Sequence, residues 1–123
     1  MTGVCVQLTG VHHVSINVDD LETARRFYCD VLGLSVLPRP ELGVAGLWLG
    51  LGQHELHLIE VAGYVAPEGP HFAVEVVDLD DVVRTLTGRG ARCSATRSLD
   101  GGRRQSFCSD PSGNLIEFSE RMA

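Results

Sequence analysis

His12-His13-Val14-Ser15-Ile16-Asn17-Val18-Asp19-Asp20-Leu21 returns 58 residues later as Pro70-His71-Phe72-Ala73-Val74-Glu75-Val76-Val77-Asp78-Leu79. Each run alternates apolar and polar side chains as a strand does, ends in acidic residues and then opens a helical pattern. The spacing predicts a first helix over about 21–32, with Asp19 or Asp20 as N-cap and Gly33 as its stop. It predicts a second over about 79–87, ended by Gly88 or Gly90. Three short extended segments follow each helix: 34–39, 44–50 and 55–61 in the first half, 91–97, 103–109 and 114–120 in the second. Gly52-Gln53 and Asp110-Pro111-Ser112-Gly113-Asn114 supply the turns before the last strand of each half. The chain therefore reads as an α+β fold of two βαβββ modules, residues 9–61 and 70–120, joined by a linker at 62–69. Modules this small are marginal alone, so the expectation is one domain over residues 1–123, with a shared core and a curled mixed sheet.

Bulk composition removes several classes of function. Hydrophobic residues make up 44% and charged residues 21% of the 123, ordinary values for a globular protein. Net charge is −6 with no basic patch, which argues against a nucleic-acid partner. All ten basic residues are arginine, so no side chain here can form a lysine Schiff base. The apolar stretch from Leu42 to Gly52 is too short and glycine-rich to span a bilayer. Met1 to Cys5 carries no basic residue ahead of an apolar run, so no signal peptide is expected. Cys5, Cys29, Cys93 and Cys108 form no Cys-x-x-Cys pair and read as reduced, mostly buried thiols of a cytoplasmic protein.

Strand parity carries the functional argument, because alternate residues of a strand point to opposite faces. Val14, Ile16 and Val18 must face the helix, which leaves His13, Ser15 and Asn17 opposite. In the repeat, Phe72, Val74 and Val76 face the helix and His71, Ala73 and Glu75 lie opposite. By the same rule Leu56 and Leu58 turn His57 away from the helix, and Ile116 and Phe118 turn Glu117 away. Four strands thus each offer one metal-competent side chain on the face away from the helices. His71 follows His13 by 58 residues and Glu117 follows His57 by 60, so the four occupy corresponding places in the two halves. Imidazole and carboxylate suit Zn²⁺, Ni²⁺, Fe²⁺, Mn²⁺ or Co²⁺, and a sheet curled about this face would bring the four to one ion. His12 has helix-side parity and His54 falls in a turn, so both are read as structural.

Three segments, Gly10-Val11-His12-His13-Val14-Ser15-Ile16-Asn17-Val18-Asp19-Asp20-Leu21, Phe27-Tyr28 with Val31-Leu32-Gly33-Leu34, and Ser109-Asp110-Pro111-Ser112-Gly113-Asn114-Leu115-Ile116-Glu117-Phe118, resemble the vicinal oxygen chelate superfamily. That group includes glyoxalase I, methylmalonyl-CoA epimerase, extradiol dioxygenases, fosfomycin-modifying thiol transferases and bleomycin-binding proteins. The resemblance runs from about Thr9 to Glu120. It implies paired modules around a metal cleft, with His13, His57, His71 and Glu117 at the family's metal positions. It also implies a homodimer in which either partner can complete the cleft. One departure stands out: glyoxalase I and its relatives often carry a carboxylate or amide where this chain has His57, which leaves its role open between ligand and acid–base group.

The chemistry expected is electrophilic catalysis on a small substrate with two adjacent oxygens, in a glyoxalase-like lyase or isomerase. Glu117 is the residue expected to move the proton. The alternatives are an Fe²⁺ extradiol-type dioxygenase using His13, His71 and Glu117, a thiol transferase, and a small-molecule (drug) binding protein. Arg103 and Arg104 are candidates to hold a substrate anion. Trp48 and Tyr64 are read first as packing residues, Ser112 as turn chemistry and Cys108 as structural.

Overall fold

The computed structural model describes Gly3 and residues 5–121. Met1, Thr2 and Val4, part of the stretch read above for a leader, lie outside the described residues. Along the chain come β1 (His13–Val18), α1 (Leu21–Arg25) running on as a π-helix (Arg26–Val31), β2 (Ser35–Leu37), β3 (Gly46–Leu51) and β4 (His54–Glu60). The order then repeats with β5 (His71–Val76), α2 (Leu79–Gly88), β6 (Arg97–Ser98), β7 (Arg104–Ser109) and β8 (Leu115–Glu120). Each half forms a four-stranded mixed sheet, ordered β1-β4-β3-β2 and β5-β8-β7-β6. The pairs β1-β4 and β5-β8 are parallel and the rest antiparallel, so the paired βαβββ architecture is as the repeat implied. Val18, Leu56 and Leu58 of the first half and Leu79, Ile116 and Phe118 of the second belong to one buried apolar cluster.

The repeat extends to hydrogen bonds. Asp20 caps α1 through Thr23 N–H at 3.1 Å, and Asp78 caps α2 through Asp81 N–H at 3.1 Å. The last residue of each inner strand also reaches a helix start: Glu60 accepts from Leu21 N–H at 2.8 Å, Glu120 from Leu79 N–H at 2.9 Å. Glu120 has a further partner, because Arg104 donates to both its carboxylate oxygens at 2.9 and 3.1 Å. Those bonds from Arg104, then the one from Leu79, hold the Glu120 carboxyl down at about 2. Its folded value lies below its unfolded one, so its stabilisation is complete above about pH 4.5 and is lost as pH falls toward 2. Unfolding stability of Glu120→Gln, measured in urea across that window, is expected to vary less steeply with pH than that of the native protein. An identical slope would remove Glu120 from the acid response.

Several elements differ from the sequence expectation. The first helix turns into a π-helix at Arg26, with Leu32 N–H bonding Phe27 C=O at 3.0 Å. Wider turns let two successive aromatics enter the core: Tyr28 is fully buried and Phe27 nearly so. Gly33, at φ +81°, ends the element in the left-handed region as expected. The segment at 91–97 shrinks to an isolated bridge at Cys93 and the two-residue β6. His54 is not in the turn but is the first residue of β4. Of the four cysteines, all free, only Cys108 is buried and Cys5 is exposed. Burial pushes the Cys108 thiol up to about 12, which fits an inert structural role. Among the described residues no helix is long and apolar enough to cross a membrane.

Tyr28 ties the two halves together. Its hydroxyl donates to Asp110 Oδ2 at 2.7 Å, and burial followed by this carboxylate pushes the phenol far above its usual range. Asp110 also accepts from the backbone N–H groups of Ser112 (2.9 Å) and Asn114 (2.8 Å) and from the Asn114 amide (2.9 Å). The same Asn114 amide donates to the Asn17 carbonyl of β1 at 2.8 Å. Asp110→Ala would strand these buried donors, and the expected loss is about 3 kcal/mol in urea unfolding. A loss below about 1 kcal/mol would mean that water replaces the carboxylate freely.

Candidate functional site

Register places the four candidate ligands in matching pairs. Ser15 of β1 stands beside His57 of β4, and Ala73 of β5 stands beside Glu117 of β8. His13 and His71 each open the strand two residues earlier, on the same face. The parallel pairing of β1 with β4 and of β5 with β8 therefore brings His13 to His57 and His71 to Glu117. One aromatic flanks each pair from the third strand: Trp48 is in register with His57, and Phe107 with Glu117.

In the second half, His71 Nδ1 lies 2.8 Å from the Gly69 carbonyl, and its Nε2 lies 3.2 Å from Glu117 Oε1. A carbonyl only accepts, so Nδ1 carries the proton and a neutral His71 presents the Nε2 lone pair. That lone pair then faces a carboxylate oxygen, two acceptors that need a proton or a cation between them. Two donors each about 2.1 Å from one ion stand roughly 3 to 3.4 Å apart, so the pair is spaced as ligands of a single metal would be. The Gly69 carbonyl is the kind of outer partner that fixes a ligating imidazole.

In the first half the imidazoles stack. The His57 ring lies between His13 (centroids 4.1 Å apart, planes at 17°) and Trp48 (4.2 Å, 6°). His57 is buried, and its Nε2 lies 2.8 Å from Glu55 Oε1. The bond to His57, with the charge of the nearby imidazoles, holds the Glu55 carboxyl below the usual carboxylate range. Sequence reasoning missed Glu55, although its parity matches that of His57 and so places it on the same face. His12 is exposed and joins this edge through its Nδ1, 2.9 Å from His13 Nδ1.

Within one chain the pairs remain two half-sites. Among the described residues no group of three or more His, Cys, Asp or Glu side chains is placed to hold a metal ion. A cleft of about 320 Å³ opens between β1 and β5, lined by Ser15, Asn17, Tyr64, His71 and Asn114. Tyr64 thus faces that cleft, and it donates to Asn114 at 3.2 Å. The two arginines separate by parity. Arg103 donates to Ser119, which shares the face of Glu117. Arg104 points to the helix side, where Glu120 and Asp80 occupy its guanidinium. A substrate clamp at Arg104 would have to break both ion pairs.

Residues 10–118 match the family model described as the Glyoxalase/Bleomycin resistance protein/Dioxygenase superfamily. The chain belongs to that superfamily. The YaeR protein of Escherichia coli K12 is 29% identical over 127 residues, covering 93% of this chain and 98% of YaeR. The mitochondrial methylmalonyl-CoA epimerase of Bos taurus is 30% identical over 128 residues, covering 89% of this chain and 73% of the epimerase. A crystal structure of a glyoxalase family protein from Bacillus anthracis superposes with a TM-score of 0.87 at 26% identity, covering 97% of this chain and all of that one. The superfamily contains both enzymes and proteins that bind drugs.

Proposed function

We propose that this protein is a divalent-metal-dependent enzyme of the lyase or isomerase type, acting on a small molecule with two adjacent oxygens. The observation that carries this reading is the His71–Glu117 pair, whose facing acceptors at 3.2 Å are spaced as two ligands of one ion would be. His13 and His57 occupy the equivalent places in the other half, and three imidazoles with one carboxylate are a donor set for Zn²⁺, Ni²⁺, Co²⁺, Mn²⁺ or Fe²⁺. Bound there, such an ion supplies the electrophile that draws charge onto two adjacent substrate oxygens. In this reading Glu117 carries the proton to or from the neighbouring carbon. Arg103, which bonds Ser119 on the same face, in this reading takes an anionic group of the substrate. Two half-sites on one chain become whole sites when two chains meet, so the active form is a homodimer.

Protein purified anaerobically without an affinity tag is expected to hold about one Ni²⁺, Zn²⁺, Co²⁺ or Mn²⁺ per chain, one for each pair of half-sites. It is also expected to exchange solvent deuterium into a C–H beside two oxygens of 2-acyl and 2-oxo test compounds. Stoichiometric Fe²⁺ with O₂ consumption on catechols would replace the lyase or isomerase reading by a dioxygenase. No metal, and none taken up on addition, would overturn the metal-dependent reading altogether.

A further inference from the structure

The surroundings of His57 hold its imidazole on both faces and at one edge. Parallel rings cover both faces of the imidazole, His13 at 4.1 Å and Trp48 at 4.2 Å. One edge is fixed by Glu55, whose Oε1 lies 2.8 Å from Nε2. An ionised carboxylate only accepts, so the shared proton sits on Nε2. Ring rotation would have to break this bond while sliding between two aromatic planes. The counterpart of Glu55 in the second half, two residues before Glu117, is Leu115. The carboxylate beside His57 is therefore a particular feature of the first half and no part of the repeat.

We infer that Glu55 is a positioning residue that locks His57 as its Nε2–H tautomer, so that Nδ1 is the nitrogen left to ligate the metal. This rests on the metal-dependent reading above and settles the part His57 plays in it. Glu55 sets a carboxylate one step outward from the proposed metal, behind the His57 imidazole. A negative charge is thereby kept beside the site, while the imidazole is made a better donor.

The test reads the tautomer in the metal-free protein and the affinity separately. In ¹⁵N-labelled apoprotein the His57 signals, assigned by their absence from a His57→Asn spectrum, are expected to show a protonated Nε2 and an unprotonated Nδ1. Glu55→Ala is expected to lose that preference and to weaken Co²⁺ binding, followed by visible absorption, about 10- to 100-fold. Glu55→Gln keeps an oxygen acceptor and is expected to recover most of both. Glu55 is partly exposed, so neither variant should compromise folding, and equal far-UV dichroism checks this. Unchanged tautomer and unchanged Co²⁺ affinity in Glu55→Ala would overturn the proposal. A native protein that takes up no Co²⁺ would instead overturn the metal reading. The apoprotein spectra would then decide by themselves whether Glu55 locks the tautomer.

Discussion

His71→Ala is expected to leave the protein folded and to abolish both its metal and its turnover. The side chain is 37% exposed at the first residue of an edge strand, so little packing is lost, and stability should change by less than about 1 kcal/mol. Function should respond very differently. Removal of an outer partner of a ligand already costs about 10- to 100-fold in metal affinity, and removal of the ligand itself should exceed that range. The substitution also takes away the imidazole nitrogen 3.2 Å from Glu117, and with it the carboxylate's co-ligand within the second half-site. His57→Ala would be harder to interpret, because it empties a buried slot between two rings and so disturbs packing as well. Metal content by elemental analysis, beside urea unfolding of the same preparation, separates the two effects. Stoichiometric metal with undiminished turnover in His71→Ala would end the case for these ligands.

Period-two alternation is why so much of the site was legible in the amino-acid sequence. Val14, Ile16 and Val18 fix one face of β1, and every other side chain of that strand follows from them. The same rule places His57, His71 and Glu117, and the parallel register confirms that the two pairs are structural equivalents. Glu55 obeys the rule too, but a glutamate near a strand end looks like any solvated residue until the distance to His57 is known. Arg103 and Arg104 could have been separated by parity alone, since neighbours on a strand must face opposite ways. The π-helix had no comparable signal: the pattern over 21–32 fits an α-helix, and the extra residue per turn follows from burying Phe27 and Tyr28 together. The ion pairs of Arg104 were likewise beyond reach, because Glu120 and Asp80 lie 16 and 24 residues away along the chain.

Periodicity also could not say which half-sites meet, and that question has a decisive experiment. His13→Ala destroys the first half-site of a chain and Glu117→Ala destroys the second. Each variant alone is expected to be inactive whichever arrangement holds. In a mixture allowed to exchange subunits, the arrangements part company. If each site takes His13 and His57 from one chain and His71 and Glu117 from its partner, a mixed dimer has one site with both defects and one with none. Random pairing makes about half of all dimers mixed, so about one quarter of native activity and metal content should return. If every site draws its ligands from a single chain, each site in the mixture keeps a defect and nothing returns. The absence of any three-residue ligand group among the described residues of one chain favours the first outcome. Recovery near one quarter, rising from zero at the rate of subunit exchange, would place the metal between chains. An inactive mixture whose mixed dimers are demonstrated by mass spectrometry would rule that out and require the two halves of one chain to close on each other.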